Sequence, residues 1–197
     1  MDTTGISGAR QLQQILRGLT KQSNRGQTST PAGWTRTQAP TAPGVVIEHP
    51  SDWRGSLVAT TNVGSVMYAQ GRVTSGDGRS LLEGETMNLT TPLPSAQIAQ
   101  AQVDRWVRQL GARAMILSDD WQDPLPGGLM LVNMSLRAID TGDFIVFVIG
   151  TSVPNIAMER TGYSIGSVGY KVIIGPKATF TQLTSQVYLP MLLSTNW

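Results

Sequence analysis

Three kinds of side chain in this sequence could carry chemistry, and their spacing limits what each can do. Asp119, Asp120 and Asp123 form the densest acidic cluster. Carboxylates this close together suit a hard cation such as Ca2+, which takes ~6–8 oxygen ligands, supplied in an assembly by two subunits. The spacing matches no EF-hand loop, and Pro124 and Pro126 also fit an ordinary solvated loop after a strand. Both readings stay open at this point. As a general acid and base for glycoside hydrolysis the aspartates lack an accompanying stack of aromatic side chains. His49 is the single histidine and Pro50 follows it. A hydrolase triad needs a base oriented by a third group beside a nucleophile, and no nucleophile-elbow sequence is present. His49 therefore reads as a strand-end residue. The chain has no cysteine, which excludes disulfides, thiolate metal sites and a thiol nucleophile together. Gly76, Gly78, Gly162, Gly166 and Gly169 fit neither a strand–GxGxxG–helix context nor a Walker pattern, and read as turn glycines. The expectation is a protein that is not an enzyme.

The third kind of side chain is basic. Residues 1–44 hold Arg10, Arg17, Lys21, Arg25 and Arg36 against Asp2 alone, a net charge of +4. The whole chain carries only +2, so the remainder is mildly acidic. Lysine and arginine on a Gln/Ser/Thr-rich segment neutralise phosphates without reading bases, which gives salt-dependent, sequence-tolerant RNA binding. Arginine suits phosphate because its fork bonds bidentately. Trp34, beside Arg36, has two open roles: stacking on a base or docking on the body. The plainer alternative for the segment is a solvated tail reaching over a neighbouring subunit.

The elements that must position these groups follow from periodicity. Ser7 is placed to cap a short helix over Gly8–Leu19, with Leu12, Ile15, Leu16 and Leu19 as its stripe. From Gln22 to Gly44 no period is readable, and Pro31, Pro40 and Pro43 favour an extended arm. The domain boundary is expected near Gly44, with 1–44 as a basic arm and 45–197 as the body. Strands are expected at Val45–His49, Leu57–Thr61, Val63–Tyr68, Thr86–Leu89, Arg113–Ser118 and Tyr170–Ile174. The strongest helix is Ser95–Leu110, with Ser95 as N-cap, Gly111 closing it, and Ala99, Val103, Trp106, Val107 and Leu110 as its apolar stripe. Between Gly128 and Val153 the chain reads as two strands around the turn Asp140–Asp143. The first is half-buried, with Met130, Val132, Met134, Leu136 and Ala138 inward and Asn133, Ser135 and Arg137 outward. The second, Phe144–Ile149, is apolar without a break and so covered on both faces. A two-sided strand needs a second layer, which points to an all-β sandwich. Two apolar segments, Ala178–Leu183 and Gln186–Leu193, finish the chain. No charge follows Lys177, so this end is expected to be packed against something. Only 14% of residues are charged, against a usual ~25%, which suggests surface covered by neighbouring subunits. No run of ~20 apolar residues and no basic-then-apolar leader is present, so neither a membrane span nor secretion is expected.

Basic arm, Pro/Gly/Thr linker and about eight strands with a helix between the early and late ones make a layout. It resembles that of the coat proteins of small non-enveloped positive-strand RNA viruses of plants or fungi. The resemblance covers nearly the whole chain and is one of order, length and arm charge. It implies an eight-stranded jelly-roll β-sandwich with one inserted helix and an extended N-terminal arm. It also implies many copies assembling into a closed shell around single-stranded RNA, the virion or host cytoplasm as location, and in some such families calcium at subunit contacts. The competing reading is a self-assembling phage tail or connector β-protein, or another non-enzymatic β-sandwich, which needs no basic arm. A carbohydrate-binding sandwich would need clustered exposed aromatics, whereas the five tryptophans are scattered.

Overall fold

The computed structural model describes residues 4–19, 30–62, 65–91, 93–124, 131–157 and 164–195. The described residues are mostly β, with nine strands in antiparallel sheets and helices packed on them. Helix α1 (Thr4–Leu19) comes first, then strands β1 (Trp34–Ala39) and β2 (Ala42–Pro50), which pair as a hairpin. Next come β3 (Arg54–Asn62), β4 (Ser65–Thr74) and β5 (Leu81–Leu89), then helix α2 (Ser95–Leu110). The chain continues with β6 (Ala114–Pro124), β7 (Leu131–Asp140), β8 (Phe144–Ala157) and β9 (Ser164–Pro176). It closes with α3 (Phe180–Leu183), a π-helical turn over Thr184–Tyr188, and α4 (Leu189–Ser194). The widened turn stands just ahead of Pro190, which has no N–H to donate and whose ring crowds the carbonyl four residues back. Among the described residues no helix is long and apolar enough to cross a membrane.

Seven strands form one sheet in the order β3-β4-β5-β9-β8-β7-β6. Two meanders, β3–β5 and β6–β9, meet where β5 pairs with β9. This differs from two facing four-stranded jelly-roll sheets, because sequential strands here pair side by side instead of crossing between sheets. The strands expected from sequence are all present, and β1 is added to them. The Asp140–Asp143 turn is a plain hairpin turn within one sheet, since β7 and β8 pair from Asn133↔Ser152 to Asp140↔Ile145. Gly142 takes the positive φ that the turn requires, at 99°.

β8 lies inside the sheet and is covered on both faces as its unbroken apolar run demands. Ile145, Phe147 and Ile149 enter one core with Leu136, Ala138 and Ile173. Val146 and Val148 enter the other with Val172, Ile174 and Ile139. The second core is closed by α2, whose Ala99, Val103 and Trp106 are buried while Leu110 is exposed. Helix α2 can lie this close because β8 has a glycine beneath its first turn: a Cβ at Gly150 would come within 2.9 Å of the Ala99 nitrogen. Pro94 occupies the N-cap position of α2, and the Ser95 hydroxyl instead bonds that of Ser135 on β7 at 2.9 Å. The polar face of β7 is thereby roofed, and Ser135 and Arg137 are buried instead of solvated.

The first core is closed by three pieces: α1, the β1–β2 hairpin and the C-terminal helices. Ala9, Leu12, Phe180, Tyr188 and Met191 are all fully buried there. The uncharged C-terminus is thus packed on its own sheet. The hairpin forms a small second layer and also shields the edge of β3, where the Thr41 hydroxyl donates to the Ala59 carbonyl at 2.5 Å. Its inner face is locked by His49. Nδ1 lies 2.9 Å from the Pro50 carbonyl and must donate to it, so Nε2 accepts from the Thr37 hydroxyl at 2.8 Å. The boundary expected near Gly44 falls inside β2, and the described parts of 1–44 are docked on the body through Leu12, Ala39 and Ala42. A chain burying these side chains against the common core is not a separate arm at those residues.

Candidate nucleic-acid interface

Of the five basic residues singled out from sequence, Arg10 and Arg17 sit on α1, and Arg36 on the outer face of β1. Lys21 and Arg25 lie outside the described residues. Arg10 and Arg36 are exposed. Arg17 is drawn back onto the body: its guanidinium meets Asp119 Oδ1 at 2.5 Å and stands 5.3 Å from the centre of the Trp121 ring. Gln13, one turn earlier on α1, donates to the other Asp119 oxygen at 2.7 Å. Helix α1 is therefore an amphipathic element clamped at its polar edge, and Arg17 is committed to that clamp. Trp34 is partly buried against the first core, so docking is the role the structure gives it.

The three aspartates lie on strand β6, not in a loop. Aspartate is a poor strand former, but β6 is the outer strand of the sheet, where charges and the closing Pro124 guard an edge against further pairing. Strand alternation sends Asp119 and Asp123 to the α1 face and Asp120 to the opposite one. Each is already engaged: Asp119 by Arg17 and Gln13, Asp123 by the Trp121 indole N–H, and Asp120 by the Arg137 fork at 2.7 and 3.3 Å. The Arg137 hydrogen bond holds Asp120 below the usual carboxylate range, against the upward push of burial. Acids divided between two faces cannot converge on one cation. Among the described residues no group of three acidic or histidine side chains is placed to hold a metal ion.

The structure reveals a surface that the sequence reading passed over. Helix α2 covers β7, β8 and β9 and buries Leu81 and Glu83 of β5, leaving the same face of β3 and β4 open. Cross-strand rows define it. One runs Val58–Gln70–Glu85–Tyr170, and continues under the helix through Gly150 and Ser135 to Asp120. The adjacent row runs Ser56–Arg72–Glu83–Val172, with Arg54 opposite Thr74 beyond it and Thr60 opposite Tyr68 on the other side. The two glutamates are engaged from within. Arg105 of α2 reaches Glu83 at 2.8 Å, and the Tyr170 hydroxyl donates to Glu85 at 3.2 Å. Burial and the nearby glutamates push the Tyr170 phenol well above its usual range, so it stays a neutral donor. Arg54 and Arg72 are exposed and have no ion-pair partner among the described residues. The signal in the sequence was the alternation itself. Leu57, Ala59, Ala69 and Val73 are buried at every second position, and the polar set falls between them.

Two other polar groups on the sheet and its C-terminal helices are shifted by burial. Tyr188 is fully buried with its hydroxyl 3.0 Å from that of Ser80, and burial pushes its phenol up to about 12. Lys171 on β9 donates to the Thr195 hydroxyl, and desolvation lowers its ammonium to about 8. No protein-family model matches this chain, and no curated protein sequence matches it.

Proposed function

We propose that this is a non-enzymatic, self-assembling structural protein that holds single-stranded RNA, a coat-type subunit of a viral shell. The observation that supports the RNA part is how the charges are shared out. Asp119, Asp120, Asp140 and Glu83 each engage a cation of the same chain. Arg10, Arg36, Arg54, Arg72 and Arg108 remain exposed, with no ion-pair partner among the described residues. These arginines are thus open to phosphate, the partner their forks suit, although Asp52, Asp77, Asp104 and Asp143 are exposed and outside the ion pairs among the described residues as well. The assembly part rests on the low charge content and the resemblance in layout. The C-terminal half of the sheet, covered on both faces, supplies a rigid block for it.

The test is purification of the intact chain at physiological salt, followed by light scattering, electron microscopy and the ratio of absorbance at 260 and 280 nm. Large particles carrying nuclease-sensitive nucleic acid are expected. A monomer or dimer free of nucleic acid overturns the proposal. Truncating residues 1–44 is the wrong variant, because it removes Leu12 and β1 from the core; the combined substitution of Arg10, Lys21, Arg25 and Arg36 by Gln keeps the fold and lowers RNA content.

A further inference from the structure

We infer that the open face of β3 and β4, beside α2, is a single-stranded RNA contact surface made of residues other than the basic set of 1–44. The inference rests on the RNA-holding reading above and adds a named surface to it. Its starting point is the pairing register. Arg54 stands opposite Thr74 and Ser56 opposite Arg72, so the two arginines lie on one diagonal of the same face, ~7–8 Å apart at the backbone. Both side chains are exposed and without an ion-pair partner among the described residues. Two guanidinium forks on a diagonal can engage neighbouring phosphates of one strand bidentately.

Of the two carboxylates beside this face, Glu83 is buried and neutralised by Arg105, whereas Glu85 accepts from the Tyr170 hydroxyl and keeps its charge. Next to the arginines along β4 lie Gln70 and Tyr68, the Tyr68 hydroxyl donating to Gln70 at 3.2 Å. An aromatic ring on an exposed sheet face offers a stacking platform that every base can use. Ser56 and Thr60 add exposed hydroxyls for sugar and phosphate oxygens. A protein partner suits the patch less well. Protein interfaces deplete charge at their centre, whereas among the described residues the one large exposed apolar side chain here is Val58, at 54% exposure, flanked by polar groups. Charge complementarity to phosphate therefore selects the occupant.

The experiment measures binding of a fluorescent 12-nucleotide oligouridylate to the full-length protein by anisotropy, across a salt series. Removing two phosphate contacts with Arg54→Gln/Arg72→Gln should make the log–log salt slope shallower by about 1.4, and weaken binding about tenfold or more at low salt. Tyr68→Leu should weaken binding about fivefold or more with an unchanged slope. Arg72→Lys, which keeps the charge, should retain the slope. Val58→Arg, adding a cation at the centre of the patch, should steepen it. If the wild type does not bind, the RNA-holding reading itself fails. If it binds, but the double variant binds with the same affinity and slope and Val58→Arg adds nothing, this surface is overturned while that reading survives through the N-terminal cations. If the double variant changes oligomer size and leaves RNA affinity intact, the face is a subunit contact, and the inference is likewise overturned.

Discussion

The two halves of the seven-stranded sheet are built from the same kind of strand and end in opposite states. In the C-terminal half, β7, β8 and β9 are roofed by α2 and floored by α1 and the C-terminal helices, so both faces are core. In the N-terminal half, β3 and β4 are covered on one face only, and β5 passes under the edge of α2 at Leu81 and Glu83. The row from Val58 to Asp120 crosses both halves and shows where the change falls. It is exposed at Val58 and Gln70, half-buried at Glu85 and Tyr170, and passes beneath α2 at Gly150. The lesson is that one helix decides which side chains are structural and which are available. Arg137 and Arg72 occupy equivalent outward positions in the pleat, yet Arg137 is buried and forked onto Asp120 while Arg72 faces solvent.

The largest expected effect tests that asymmetry directly. Phe147 on β8 is fully buried between layers, so Phe147→Ala should cost ~3–5 kcal/mol. Val58→Ala on β3, at 54% exposure, should stay within about 0.5 kcal/mol. Urea unfolding of the two variants measures the contrast, and comparable losses would mean that the N-terminal half is buried in the working protein. A smaller effect is expected at the seam. Gly150→Val would drive a side chain into the Ser95 carbonyl and the Ala99 nitrogen, lifting α2 at a cost of about 1–3 kcal/mol. Greater amide exchange in α2 and an unchanged first core are the expected readouts; uniform exchange throughout would show that the roof does not move separately.

The smallest effect concerns pH. Burial alone would raise the Asp140 carboxyl, but the Lys177 ammonium at 2.8 Å and the Gly142 N–H at 2.7 Å outweigh it, and its pKa is lowered. A carboxyl with a lowered folded pKa binds its proton more readily when unfolded. Its stabilisation is complete above the unfolded value of ~3.9 and is lost as pH falls through the folded one. Asp140→Asn should therefore flatten the acid limb of the stability curve below about pH 4, followed by urea midpoints from neutral pH downward. An unchanged limb would mean that the Lys177 pair contributes no linkage.

Much of this was legible in the residues. The run Phe144–Ile149 announced a two-sided strand because six apolar side chains without a polar break, rich in β-branched and aromatic residues and set after a Gly-containing turn, suit a strand buried on both faces. The stripe Ala99, Val103 and Trp106 gave α2 its bounds, and Gly111, at φ 73°, closed it. β1 was not legible, since Thr35, Arg36, Thr37 and Gln38 carry only the weak alternation of a hairpin that is solvated on one face. β6 read as a loop after Ser118, because a run of aspartates is tolerated in a strand only at an edge, and edge position is not a local property. The acidic trio read as one site because nearness in sequence is not nearness in space on a pleated strand.

The sequence by itself therefore determined the period-two strands, the bounds of α2, the buried C-terminal segment and the excess of cations near the N-terminus. Each follows from side-chain type at a fixed local spacing. Tertiary structure alone decided that the strands join in one sheet, and that α2 roofs one half of it. It likewise decided that Arg17 and Arg137 are spent on aspartates while Arg54 and Arg72 are left facing outward. The reason is physical: which polar groups find partners depends on contacts between residues as far apart as Arg17 and Asp119, and no local pattern encodes those.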